Sequence, residues 1–177
     1  MKLFWAALSG VLCTAHISFA EPRVTYNAFG LPGLIDMPSA QSAPDAGLSF
    51  SVSQSGKSLR NTLTFQIAPR LTGAFRYSSI ERPTQTLYDR SFDLRYRLLD
   101  ETQLRPAVAV GLQDFIGTGV YSGEYVAASK TFGPVVATAG IGWGRLGSHN
   151  SFDNPLGLIS SRFDTRDAGF TGTGGRI

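Results

Sequence analysis

Between Gly47 and Trp143 the chain alternates apolar side chains with small or charged ones at a period of two residues. Successive side chains of a β-strand point to opposite faces, so this pattern predicts strands with one apolar face and one polar face. The segment Arg90–Leu98 is the clearest example. Its two faces hold Phe92, Leu94, Tyr96 and Leu98 on one side, and Ser91, Asp93, Arg95 and Arg97 on the other.

The alternation predicts seven strands in an antiparallel, up-and-down order. Short connections are predicted at 68–70, 99–104 and 132–134, and long ones at 80–89 and after Gly144. Short turns that alternate with long loops are typical of outer-membrane barrels. The predicted strands are roughly Gly47–Ser53, Arg60–Ile67, Leu71–Ser79, Arg90–Leu98, Arg105–Gln113, Val120–Thr131 and Val135–Trp143.

The first residues have the features of a secretory signal peptide. Lys2 provides the positive start, Leu3–Ile17 is largely apolar, and Ser18-Phe19-Ala20 has small residues where a signal peptidase reads. We therefore predict cleavage before Glu21 and export to the envelope of a Gram-negative bacterium. A permanent membrane anchor is the alternative, but the apolar run is shorter than the ~20 residues of a spanning helix.

The remaining chain divides into an irregular segment at 21–46, the strands at 47–144 and a Gly-rich end at 145–177. Export and alternating strands together predict an all-β, up-and-down transmembrane β-barrel in the outer membrane, with lipid outside and a wet interior. A soluble β-sandwich, with its apolar face inward, is the alternative. The predicted lipid face includes Leu48, Phe50, Val52, Leu63, Phe65, Ile67, Leu71, Phe75 and Tyr77. The predicted lumen face includes Arg76, Asp93, Arg95, Arg97, Gln113, Glu124 and Lys130.

Seven is an odd number, whereas bacterial single-chain barrels have an even number of strands. We therefore expect this sequence to be part of a longer barrel. Pairing Ser79 with Arg90 across the predicted 80–89 loop would place Arg76 directly opposite Asp93. Such a cross-strand ion pair would be structural, whereas side chains such as Gln113, Arg95 and Arg97 could exchange hydrogen bonds with a sugar polymer. Both roles remain open at this stage.

Composition excludes several classes of protein. There are 16 Lys and Arg against 13 Asp and Glu, and removal of Lys2 with the leader leaves 15 against 13, a net charge of +2. The basic residues are scattered, which argues against nucleic-acid binding. The single cysteine, Cys13, lies in the leader, where the bulky Leu12 before it argues against lipid attachment. We expect no cofactor and no metal site.

Catalytic signals are weak, and we predict that the protein is not an enzyme. His149 lies near Ser148 and Ser151 in a predicted loop, an arrangement that leaves an outer-membrane lipid or glycan hydrolase as an alternative. The stretch 117–119 lacks the lysine and helix of a phosphate-binding loop. Asp36 and Asp114 are candidate sugar or ion contacts in loops, although Asp at such positions commonly caps a turn.

Several motifs occur in order along the chain: Gly30–Ala40, Tyr88–Asp93, Pro106–Gly119, Ser122–Tyr125 and Gly142–Gly147. Together they resemble the YjbH family of outer-membrane proteins linked to exopolysaccharide biosynthesis. The resemblance covers Tyr26–Pro155 and implies an outer-membrane barrel that works with other exopolysaccharide-assembly proteins and with the polysaccharide itself. It also implies a much longer full-length protein. A structural or adhesive envelope protein is the further alternative.

Overall fold

The computed structural model describes residues 24–147 and 152–164. In these ranges the chain is all-β apart from two short 3₁₀ helices, Pro155–Leu158 and Ser161–Phe163. Its main element is a seven-stranded antiparallel sheet in which each strand pairs with its neighbour in sequence. The predicted all-β, up-and-down order is therefore confirmed. The predicted signal peptide, residues 1–20, lies outside the described residues.

A two-residue hairpin precedes the sheet, and the sheet strands agree with the seven predicted ones to within a few residues at most ends. The tight turn between the first two sheet strands begins at Gly56, whose φ of +56° suits a hairpin turn. The hairpin consists of β1 (Gly33–Leu34) and β2 (Met37–Pro38). The sheet consists of β3 (Leu48–Ser55), β4 (Ser58–Ala68), β5 (Leu71–Glu81), β6 (Thr86–Leu99), β7 (Ala107–Gly117), β8 (Gly123–Phe132) and β9 (Val135–Gly144).

The prediction of a long loop at 80–89 is wrong. Strands β5 and β6 continue into this region, where Ile80 pairs with Leu87 and Glu81 pairs with Thr86, so only 82–85 connects them. The two strands satisfy each other's backbone groups as a hairpin through most of this region. A longer connection lies instead at 100–106, on the opposite end of the sheet.

The two faces of the sheet differ sharply in chemistry, as the alternation predicts. The sheet curls, and Ser58 Oγ in β4 lies 2.7 Å from the Tyr121 hydroxyl beyond β7. All nine residues of the predicted apolar face lie on the convex face, because direct partners in the ladder share a face. The concave face of the central strands is polar and buried. It includes Thr62, Thr64, Gln66, Thr72, Arg76, Ser78, Ser91, Asp93 and Arg95.

Residues 25–42, here called the inner segment, cover the concave face. Hydrogen bonds within the segment form a tight turn near its start. The Asn27 side chain accepts hydrogen bonds from the Phe29 and Leu31 amides at 3.0 and 3.1 Å. The segment lies very close to the sheet at Gly30, where an added Cβ would lie 2.5 Å from Thr62 atoms. The sequence analysis treated this stretch only as irregular chain before the first strand. In the structure it buries the polar residues of the concave face.

The described C-terminal piece, residues 152–164, contacts the end of the sheet at β8 and β9. The Trp143 indole N–H donates to the Phe152 carbonyl at 3.2 Å, and the two rings meet edge to face. Asn154 donates to the Glu124 carboxylate at 2.8 Å. Within the part of the chain that the structure describes, no helix is long and apolar enough to cross a membrane.

Candidate functional site

The candidate functional site is the concave face together with the inner segment that lies on it. Five of the seven residues predicted to face a lumen are on this face: Arg76, Asp93, Arg95, Arg97 and Gln113. Arg95 and Arg97 pair with Gly111 and Ala109 of β7. Ala109 is buried in a cluster with Ala40 of the inner segment, whereas the space above Gly111 is occupied by the Tyr125 ring of β8. The alternation of the strands was therefore sufficient to place these five residues.

Glu124 and Lys130 differ from the prediction, because both lie on the convex face. In the ladder Glu124 pairs with Leu112 and Trp143, which are residues of the convex face, and Lys130 is in the same alternating set. Their charges are accommodated at the two ends of β8. Glu124 is covered by Asn154, and Lys130 forms an ion pair with Glu101 at 3.2 Å. Charge alone was therefore a poor guide to the face near strand ends, where neighbouring loops supply partners.

Arg76 and Asp93 form an ion pair in the centre of the concave face. The two Nη atoms of Arg76 donate to the two carboxylate oxygens of Asp93 at 2.8 and 3.1 Å. Arg76 Nη1 also donates to the Phe29 carbonyl at 3.2 Å, and Asp93 Oδ1 accepts the Asp114 amide at 2.7 Å. A bidentate geometry with further hydrogen bonds is what a buried charge pair needs to offset its desolvation. The predicted pair is thus present, and it also holds the inner segment.

Arg95 holds the other end of the inner segment. Its Nη2 donates to the Ser39 carbonyl at 2.9 Å and to the Gln41 carbonyl. Its Nη1 lies 3.4 Å from the hydroxyls of Ser42 and Thr72. In addition, the Ala40 amide donates to Ser129 Oγ in β8 at 2.8 Å. Arg95, which the sequence analysis offered as a sugar contact, therefore binds the chain's own backbone here.

Phe29 of the inner segment is surrounded by arginines. The guanidinium carbons of Arg60, Arg76 and Arg145 lie 4.6, 5.0 and 3.7 Å from the centre of its ring. The Tyr121 ring packs edge to face against it at 5.2 Å. Guanidinium groups are attracted to the face of an aromatic ring, so Phe29 partly stabilises this concentration of positive charge.

Asp36 and Gln113, both predicted site residues, meet at Arg145. Arg145 Nη1 lies 3.0 Å from an Asp36 oxygen, and its Nε and Nη2 donate to the Gln113 side-chain oxygen at 3.2 and 3.0 Å. Burial lowers the pKa of the Arg145 guanidinium, while the charge of Asp36 acts in the opposite direction. Asp36 therefore pairs with an arginine that the sequence analysis did not single out.

Asp114, the other loop candidate, has the turn role that was named as its alternative. It lies at the irregular end of β7 with a φ of +50°, and its carboxylate accepts the Tyr121 amide at 2.9 Å. This contact orders the turn that carries Tyr121. The His149 group, with Ser148 and Ser151, lies outside the described residues.

Sequence reasoning missed Phe29, Arg60, Tyr121 and Arg145. Arg60 could have been found, because it alternates in step with Thr62, Thr64 and Gln66 on the polar side of β4. Phe29 could not, because it lies in irregular chain with no period. Within the described ranges, no three His, Cys, Asp or Glu side chains group as metal ligands would.

The fold and the site define a class: an all-β protein with a curled antiparallel sheet whose polar concave face is covered by the chain's own N-terminal segment. The chain belongs to the YjbH family, since the family model described as "Exopolysaccharide biosynthesis protein YbjH" matches residues 25–177. The resemblance noted from the sequence is thereby confirmed.

A relative in Escherichia coli (strain K12) has the name "Uncharacterized lipoprotein YjbH". The two sequences are 36% identical over 156 residues, which covers 82% of this chain and 22% of the relative. The chain thus spans less than a quarter of the length of the curated relative it matches. No solved structure matches this chain.

Proposed function

We propose that this chain is part of an outer-membrane β-barrel protein that acts in exopolysaccharide biosynthesis or export. The observation that carries the proposal is the opposite chemistry of the two sheet faces. On the convex side one apolar row runs across four neighbouring strands. Each residue of the row is the direct ladder partner of the next, in the order Phe50, Leu63, Phe75 and Phe92. An extended apolar outer surface around a polar interior is the arrangement of a transmembrane barrel.

The large exposed apolar residues of this face also argue against a soluble sandwich. Leu48, Phe50 and Val52 of β3 are each more than half exposed, and no second sheet covers them among the described residues. A soluble protein rarely leaves so large an apolar surface uncovered. Lipid is therefore the partner that we propose for the convex face, in the outer membrane of a Gram-negative bacterium.

The part of the barrel described here acts by binding and assembly in this proposal, and not by catalysis. The inner segment occupies the concave face through Arg76, Arg95 and Ser129, so these residues do not line an open channel. The proposed partners are the polysaccharide and other proteins of its assembly. The family description and the relative's name support an envelope role linked to exopolysaccharide.

Cell fractionation of the whole protein tests the location. We expect it in the outer membrane, and recovery in the soluble periplasm after gentle lysis would favour the sandwich. Mass spectrometry of the mature N-terminus distinguishes cleavage before Glu21 from a lipid-modified Cys13, which the name of the relative makes a specific alternative.

Deletion of the gene tests the role. We expect less surface polysaccharide and unchanged permeability to small solutes, with recovery on complementation by the wild-type gene. Complementation by His149→Ala should be equally effective. Loss of polysaccharide with His149→Ala, at normal protein level and normal membrane insertion, would support a hydrolase instead.

A further inference from the structure

An open cavity of about 500 Å³ lies between the inner segment and the sheet, near the turn at 56–57 and the connection at 118–122. Its size is within the range of ~300–1,000 Å³ that is usual for pockets that bind small molecules. Charged groups come from three different parts of the chain: Asp36 in the inner segment, Arg60 in β4, and Arg145 directly after β9. Tyr121 and Ser55 add hydroxyl groups to the lining.

The charges of this lining do not balance. Arg145 has Asp36 as its ion-pair partner at 3.0 Å. Arg60 has no carboxylate within ion-pair distance among the described residues, although it is only 9% exposed. Its Nε atom is buried and has no hydrogen-bond acceptor. A buried cation without a counter-charge is costly, so an anion bound beside Arg60 would be stabilised.

Aromatic rings hold the Arg60 guanidinium in place. Its central carbon lies 4.6 Å from the centre of the Phe29 ring and 5.0 Å from that of Tyr121. Two hydrogen bonds in turn fix Tyr121. Its hydroxyl lies 2.7 Å from Ser58 Oγ, and its backbone amide donates to the Asp114 carboxylate. The positive group is therefore rigidly positioned without being neutralised, as a preformed anion site requires.

We propose that this cavity binds a carboxylate-bearing sugar unit of an acidic polysaccharide, with Arg60 as the main partner of the carboxylate. A planar guanidinium matches a carboxylate in geometry and charge, and the hydroxyls of Ser55 and Tyr121 suit the hydroxyls of a sugar ring. The choice of a sugar acid rests on the proposed function. The choice of an anion rests only on Arg60 and its surroundings.

Binding of oligogalacturonate to the whole protein in detergent micelles tests this site by calorimetry. Maltooligosaccharide of equal length serves as the neutral probe and inorganic phosphate as the small anion. We expect oligogalacturonate to bind in a salt-dependent way and the neutral oligomer at least tenfold more weakly. Phosphate that binds as tightly as oligogalacturonate, or equal binding of the neutral oligomer, overturns the assignment of a sugar acid.

Two variants localise the binding. Arg60→Gln should weaken oligogalacturonate binding at least tenfold, whereas Arg105→Gln removes an exposed positive charge from the opposite end of the sheet and should bind as wild type. Arg60→Lys retains the charge and should bind more tightly than Arg60→Gln, which separates charge from folding if the glutamine variant is unstable. Wild-type affinity in Arg60→Gln overturns the site.

The site and the proposed function can fail separately. Specific binding by a protein that fractionates with the soluble periplasm would support the site and reject the membrane barrel. Loss of surface polysaccharide on gene deletion, together with no oligogalacturonate binding by the pure protein, would support the function and reject the site.

Discussion

Arg76 and Asp93 form their ion pair along a diagonal of the sheet, because the ladder places Arg76 opposite Ser91 and Asp93 opposite Ala74. The sequence analysis predicted the pair from a direct opposition, with Ser79 against Arg90. Ser79 in fact pairs with Tyr88, so that register was wrong by two residues. A shift of two leaves every side chain on its own face, and the long arginine side chain spans the remaining distance.

The Arg76–Asp93 pair should be costly to break one residue at a time. Each side chain is almost completely buried, so Arg76→Ala or Asp93→Ala leaves an uncompensated charge and should lower the free energy of unfolding by about 3–5 kcal/mol. The double variant should cost clearly less than the sum of the two. Denaturant unfolding of the four proteins gives the coupling energy.

The exposed Arg70–Asp100 pair is the matched control for this cycle. Its side chains are 46% and 44% exposed, so the corresponding coupling should be only about 0–1 kcal/mol. Equal coupling energies in the two pairs would contradict the buried position of Arg76 and Asp93.

The convex face should be sensitive to charge at the depth of the bilayer core. Leu63 lies in the middle of β4, and Leu63→Arg should destabilise the protein in lipid vesicles by about 2–4 kcal/mol. Gln54 is on the same face but near the end of β3, so Gln54→Arg should cost about 0–1 kcal/mol. Unfolding titrations in vesicles measure both, and similar costs at the two positions would argue against the membrane assignment.

Ser129 should control how firmly the inner segment is held. Its hydroxyl accepts the Ala40 amide at 2.8 Å, so Ser129→Ala leaves a buried donor unsatisfied at a cost of about 1–3 kcal/mol. Hydrogen exchange should become faster at Ala40 while the strand amides of β4 and β5 remain protected. Thr138→Val, which removes only the hydroxyl that contacts Ser129 Oγ at 2.8 Å, should leave the Ala40 amide protected. Faster exchange in that control would mean that Ser129 does not hold Ala40 by itself.

Glu101 should give a small stability effect that depends on pH. The Thr131 amide donates to its carboxylate at 2.8 Å, which lowers the pKa of Glu101 below the usual 4.5. Because the folded pKa is the lower one, the stabilisation is complete above pH 4.5 and is lost as the pH falls through the folded value.

Unfolding of wild type and Glu101→Gln between neutral and acidic pH measures this effect. The wild type should be more stable at pH 7, by about 0–1 kcal/mol because the group is exposed, and the difference should disappear in acid. Asp45→Asn removes an exposed acidic charge elsewhere and serves as the control. A difference that grows in acid would contradict the assigned contact.

Alternation along the chain was sufficient for the all-β class, for seven strands in sequence order, and for the faces of Arg76, Asp93, Arg95, Arg97 and Gln113. These features are local, since the period of two is a property of the extended backbone itself. The motifs from Gly30 to Gly147 were likewise sufficient for the family. The alternation also holds at Glu124 and Lys130, and only their assignment to the polar face by charge was wrong, because their partners come from segments distant in sequence.

Only the tertiary structure decided what the concave face contacts. Residues 25–42 have no period because their backbone groups are satisfied partly within the segment and partly by Arg76, Arg95 and Ser129, which follow them in the chain by dozens of positions. Long-range hydrogen bonds of this kind leave no pattern in the sequence of either partner. The cluster around Phe29 has the same origin, because Arg60, Arg76 and Arg145 meet there only when the sheet curls around the inner segment.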